Sequence, residues 1–256
     1  MCLILIAWRV DPGYPCVVAA NRDEFFSRPS ATLAFWDDQP QVLAGRDLRA
    51  GGTWMGVHRN GRFAALTNYR EPENHEPNAP SRGAIVSNFL KGQMEARDYW
   101  NDLLDDKKAY NGFNLVCGQL DQELWYFSNR DDGEGRNLSP GIYGLSNHLL
   151  DTPWPKVARG KSDFAESLRS LPDDAPLFRL LRDGNIHDDS SLPRTGVNLE
   201  WERLLSAAFV RSPNYGTCSS TIVKLDSSSL VTVDEQSFTA GTQMAQRNRF
   251  RFSLRQ

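Results

Sequence analysis

The chain opens on an apolar hairpin, and that hairpin limits the fold more than any other stretch. Leu3 to Val10 reads as a buried strand, "DPGY" as a turn, and Cys16 to Ala20 as the return strand. The hairpin ends in "NRDE", Asn21 to Glu24, four polar groups in a row directly after "CVVAA". The next stretch, "FFSRPSATLAFW", reads as an ordered surface loop. "QVLAGRD", "GGTWMGVH" and "GRFAALTNY" then read as three short strands, with "RNG" as a tight turn. A proline-rich loop leads to helices near Ala84 to Leu90 and Glu95 to Leu104. "GFNLVCGQ" and "ELWYFSN" make a further hairpin, and "GIYGLSN" a strand ending in a turn. Helices follow from Pro155 or Lys156 and after Asp173. The tail returns to strands in "STIVKLD", "LVTVDEQ" and "RFRFSL". Strands at both ends and helices between them point to one α+β domain over residues 1–256, with layers of sheet covered by helices.

Composition narrows the function classes. A net charge of −3, with 24% charged residues, gives no reason to expect a nucleic-acid partner. No apolar run approaches the ~18 residues of a membrane helix, and the start lacks the basic leader of a signal peptide. The expectation is a cytoplasmic protein without an integral membrane segment. Its four cysteines and four histidines are dispersed, without metal-site spacing, so no metal is expected. The sequence leaves the oligomeric state open.

Cys2 is the first chemical candidate. If the initiator methionine is removed, Cys2 carries a thiol and a free α-amine on neighbouring carbons. The amine titrates near ~7.7–8.0 and the thiol near ~8.5, so the amine can serve as base without a histidine. A small core residue in a terminal strand is the other reading of Cys2. In "NRDE", Arg22 beside Asp23 can lower a thiol's pKa and orient its amine; a surface ion cluster has the same composition. Asn68 in "LTNY" and Asn147 in "GLSN" sit near strand ends, where side-chain amides can stabilise an oxyanion or simply form turns. Trp54 and Trp154 can line an apolar pocket or anchor the core. His58, His75 and His148 are weak candidates for haem ligation.

The stretches "MCLILI", "AANRDEFFSRP", "GGTWMGV", "AALTNYR", "YNGFNL", "GIYGLSNHLLDTPWPK" and "YGTCSSTIVKLD" follow one another from residue 1 to about 226. In them the chain resembles the NRDE, or transport and Golgi organisation 2, family. The resemblance implies a four-layer αββα sandwich of the N-terminal nucleophile hydrolase type, similar to choloylglycine hydrolases. Carried over by position, it implies Cys2 as nucleophile, with Arg22, Asp23, Asn68 and Asn147 as supporting groups and no cofactor required for catalysis. It also implies a role in haem trafficking, with haem or an acyl compound as the small-molecule ligand. A Cys2-dependent amidase or acyl-transfer hydrolase is the alternative. One departure stands out: many family members carry an arginine after "YGT", where this chain has Cys218. A thiol there would be expected to lack the arginine's charge and to lie near Cys2.

Overall fold

A computed structural model describes residues 2–104, 109–131, 134–240 and 243–254. β1 (Cys2–Trp8) and β2 (Cys16–Phe25) pair antiparallel from Cys2↔Arg22 to Trp8↔Cys16. They sit inside a six-stranded sheet ordered β10 (Gly141–Leu145), β1, β2, β11 (Tyr215–Leu225), β12 (Leu230–Phe238), β13 (Met244–Ser253). A seven-stranded sheet runs in chain order through β3 (Ser30–Trp36), β4 (Gln39–Asp47), β5 (Met55–His58), β6 (Arg62–Asn68), β7 (Phe113–Gln119), β8 (Glu123–Ser128) and β9 (Arg136–Asn137).

The unbroken apolar character of β1 has a direct cause: every residue of the strand is buried, on both faces of the sheet. Ile4, Ile6 and Trp8, with Val18 and Ala20, meet Val57, Phe63, Ala65 and Val116 of the facing sheet. Leu3, Leu5 and Ala7, with Val17 and Ala19, point the other way, onto α3 (Pro155–Ser167) and α4 (Ala175–Leu181). The outer face of the second sheet, through Ala64, Leu66, Leu115 and Cys117, packs on α1 (Gly83–Lys91) and α2 (Ala96–Leu104). The layers are therefore helix, sheet, sheet, helix. Each fully buried aliphatic side chain contributes roughly 1.5–3 kcal/mol, so the three interfaces supply most of the cohesion. A short helix, α5 (Leu199–Ser206), starts at Asn198, whose side chain accepts from Trp201 N, and it sets Trp201 edge-on to Tyr215.

Two local expectations are corrected. "NRDE" does not follow the hairpin; it lies within β2, because Asn21 to Phe25 continue the pairing with β11. The supposed loop "FFSRPSATLAFW" contains β3, which pairs with β4 and buries Leu33 and Trp36. Among the described residues, no helix is long and apolar enough to cross a membrane. Among the same residues, no group of three or more His, Cys, Asp or Glu is placed to hold a metal ion.

Candidate active-site cleft

Cys2 begins β1 two residues beyond its last pair with β10, Ile4↔Leu145, where the strand ends are held by side chains. Ser146 Oγ donates to the Cys2 carbonyl at 3.0 Å. By the alternation of β1, the Cys2 side chain faces between the sheets, on the side of Ile4 and Ile6. There it borders a cleft of about 520 Å³. β2, β4, β6, β11, β12 and the segment 75–83 line the cleft, and Cys2 is 8% exposed.

The strand period divides "NRDE" between two environments. Arg22 and Glu24 turn to the cleft, with Arg22 Nη2 3.8 Å from Glu24 Oε2. Asn21 and Asp23 turn to the helices. Asn21 Nδ2 donates to the carbonyls of Leu181 and Ala208 at 2.7 and 2.8 Å, and its Oδ1 accepts from Ser220 Oγ at 2.6 Å. Asp23 is 2% exposed and its Oδ1 accepts from Thr217 Oγ1 at 2.7 Å. Tyr215 Oη donates to the Asp23 carbonyl at 3.3 Å.

Behind Cys2 lies a buried group of charges that motif reading missed. Arg70 Nη1 donates to Glu202 Oε2 at 2.8 Å, and its guanidinium stacks 4.7 Å over the Trp154 ring. Thr195 closes the other Glu202 oxygen through its N–H and hydroxyl. Lys156 stands in the first turn of α3, only 3% exposed, and its Nζ has no hydrogen-bond partner among the described residues. Burial pulls the Lys156 ammonium down to about 8, although the Asp23 carboxylate opposes the shift. Burial likewise raises the Asp23 carboxyl, against the charges of Lys156 and Arg22. Burial raises the Cys2 thiol too, while the Asp23 backbone N–H and Arg22 pull it back. Cys2 therefore needs a proton acceptor before it becomes a thiolate.

The other expected residues separate. Asn68, at the end of β6, lines the cleft. Asn147 is 0% exposed and is not among the cleft-lining residues. Its Nδ2 donates to the Asn68 carbonyl at 2.8 Å, and its own carbonyl accepts from Arg70 N at 2.8 Å. Asn147 is thus a clamp that fixes the strand end presenting Asn68. Trp54 lines the cleft, whereas Trp154 lies behind it beneath Arg70. His148 is held on both ring nitrogens, by Tyr69 Oη at 2.8 Å and Thr152 Oγ1 at 2.9 Å. Thr152 Oγ1 donates onward to the Leu149 carbonyl, so Nδ1 of His148 carries the proton and Nε2 accepts from Tyr69. His58 caps the β5–β6 turn, its Nδ1 accepting from Asn60 N, and does not line the cleft; His75 does.

Cys218 shares the cleft with Cys2 but belongs to β11, with β2 between their strands. Two strand spacings of about 4.8 Å place them beyond the reach of a disulfide without backbone movement. All four cysteines are free. No arginine stands at 218; the cleft's cations come instead from β2, β4 and the neighbouring loops, as Arg22, Arg28, Arg46, Arg49 and Arg82.

With this geometry in place, comparison with known proteins fixes the family. Residues 1–240 match the family model described as Transport and Golgi organisation 2. The chain belongs to the Transport and Golgi organisation 2 family. It is 37% identical to the Transport and Golgi organization protein 2 homolog of Bos taurus, over 93% of each chain. It is 30% identical to Transport and Golgi organization protein 2 of Drosophila melanogaster, again over 93% of each. Among solved structures it is similar to the Caenorhabditis elegans N-acylethanolamine-hydrolyzing acid amidase ortholog. That likeness has a TM-score of 0.50 at 10% identity, over 86% of this chain and 92% of the other. At that identity it speaks for the fold alone, and the fold is that of the N-terminal nucleophile hydrolases.

Proposed function

We propose that this member of the Transport and Golgi organisation 2 family is a hydrolase that uses Cys2, freed by removal of Met1, as its nucleophile. The observation that carries the reading is convergence. Cys2 borders the cleft, Arg22 and Asn68 line the same cleft, and the Asp23 backbone N–H acts on the sulfur. The α-amine of Cys2 takes the thiol proton, and the thiolate attacks the carbonyl carbon of an amide or thioester. In this reading the Asn68 amide, at the cleft, donates to the oxyanion. The C–N or C–S bond breaks, the leaving group departs with the proton held by the amine, and a thioester to Cys2 remains. Water then adds to that thioester, releasing the acid and restoring the thiol.

Haem carriage, the other expectation, draws less from this geometry. His148 has both ring nitrogens engaged and His58 lies away from the cleft, which leaves His75 at the cleft as the candidate ligand among the three.

Two measurements on the purified full chain test the hydrolase reading. Intact mass is expected to show a chain lacking Met1. Timed iodoacetamide labelling with peptide mapping is expected to modify Cys2 before Cys16, Cys117 and Cys218. Burial holds the Cys16 thiol up at about 12 and the Cys218 thiol at about 11. A chain that keeps Met1, or a Cys2 no faster than Cys218, overturns the mechanism.

A further inference from the structure

Five arginines line the cleft, and carboxylates within ion-pair distance engage three of them. Arg28 Nη2 lies 2.5 Å from Asp47 Oδ2, and its Nε lies 3.9 Å from Glu24. Arg22 approaches Glu24, and Arg46 grips Asp38 with two bonds of 2.5 and 2.9 Å. Those cations are spoken for. Arg82 and Arg49 are not: neither has a carboxylate within ion-pair distance among the described residues.

Arg82 is the more telling of the two. It is half-buried, its Nη1 donates at 2.8 Å to the Gly112 carbonyl, and it borders the cleft whose floor holds Cys2. The backbone around it is held firmly. Thr53 N donates to the Gly83 carbonyl at 3.2 Å, and a Cβ at Gly52 would sit 2.5 Å from the Gly83 carbonyl carbon. Only glycine at 52 permits that approach, which gives "GGTW" its role: it packs the loop against the residue after Arg82. Burial lowers the Arg82 guanidinium although Glu24 and Glu71 act on it from beyond ion-pair distance, and a ligand oxyanion in the cleft would offset that cost with charge-assisted hydrogen bonds.

The remaining carboxylates of the cleft do not supply that partner. Glu235 is buried, with its oxygens accepting from Leu33 N at 2.8 Å and Thr221 Oγ1 at 3.0 Å. Glu76 is exposed and accepts from Asn78 N at 3.2 Å.

We infer that the compound whose carbonyl meets Cys2 is an anionic acyl compound, and that its carboxylate, sulfonate or phosphate group is held by Arg82, with Arg49 as a second cation lining the same cleft. The inference rests on the Cys2 reading for the carbonyl, but the anion site can be tested without turnover.

The test uses two thiol reagents of equal reach and opposite charge, sulfonatoethyl and trimethylammonioethyl methanethiosulfonate. In each case the Cys2 thiolate attacks the sulfenyl sulfur, a mixed disulfide forms and methanesulfinate leaves. The rate of each at Cys2 is read by peptide mapping, with the urea-unfolded chain giving the intrinsic ratio. In the folded protein the anionic reagent is expected to gain roughly tenfold over the cationic one, relative to the unfolded chain. Arg82→Gln should lower that preference about fivefold or more, while Arg82→Lys and Arg46→Gln leave most of it.

The ratio cancels any change in thiolate fraction, which affects both reagents alike. A preference unchanged in Arg82→Gln overturns the inference. If that variant does not fold, the unmodified protein decides: added salt should collapse the preference, and a salt-insensitive ratio equal to that of the unfolded chain is the overturning result. A slow Cys2 that still shows the Arg82-dependent ratio sinks the nucleophile and leaves the anion site standing.

Discussion

Asp23 and Glu24 are neighbours of like charge on one strand, yet they inhabit different media. Asp23 is sealed behind the sheet, bonded to Thr217 and within the influence of Lys156. Glu24 looks into the cleft, where it accepts from Phe25 N and lies near Arg22 and Arg28. A shift of one residue along β2 exchanges a dry environment for a wet one. On the dry side each polar atom is costly to leave without a partner, so the contacts are short and specific. On the wet side water competes with every ion pair, and long cationic side chains can turn toward a ligand.

The contrast can be broken most forcefully at Asn21. Its amide closes two buried carbonyls and a hydroxyl, so Asn21→Ala should cost about 4 kcal/mol in urea unfolding. A loss below about 1 kcal/mol would mean that the helix side is not the dry environment described. Lys156 sharpens the contrast through pH. Its ordinary value is 10.5 and burial brings it to about 8. Between those values the unfolded chain holds a proton that the folded chain lacks, so stability rises with pH across that window. The gain should approach about 3 kcal/mol and should vanish in Lys156→Met, measured as unfolding free energies at both ends of the window. Arg28 should give the smallest effect. Although it faces both Asp47 and Glu24, Arg28→Gln should cost less than about 1 kcal/mol, because the pairs are partly solvated. A larger loss would place the cleft wall on the same footing as the buried side.

Much of the frame was legible because burial writes itself into strand composition. β1, β2, β7 and β11 show it as apolar runs, and the family resemblance carried the layer order. Cys2, Arg22 and Asn68 were readable as site candidates because each sits in a quoted motif, and the structure brings all three to one cleft. β3 escaped because the stretch leading into it is aromatic and proline-bearing and its register is broken twice. Asn147 lies behind the cleft with its amide on the Asn68 carbonyl, an orientation that strand-end position in the sequence does not reveal. Arg82 carried no motif, and Lys156 closed the quoted "GIYGLSNHLLDTPWPK" without being singled out. Lys156 did leave a signal: a lysine in the first turn, after Pro155, faces the positive end of the helix dipole, an unfavourable place for a cation. Arg82 left none, because its importance lies in having no carboxylate within ion-pair distance among the described residues, which only the fold decides.

β11 slips register against β2 between Thr217 and Ser219, with Cys218 as the extra residue. Before the slip, Thr217 meets Asp23 on the helix side; after it, Ser220 meets Asn21 on that same side, while Cys218 and Ser219 both border the cleft. Cys218 and Ser219 together oppose Arg22, so the bulge breaks the strand's alternation once, on the cleft side, while the helix-side pairs on either flank stay in place. Deleting Cys218 would leave Thr217 opposite Asp23 and Ser220 opposite Asn21 in regular pairing, and would take one side chain from the cleft wall. The extra residue thus widens the wall of the cleft without disturbing the buried partners behind it, so an insertion or deletion at 218 would be felt by whatever the cleft holds before it was felt by the core.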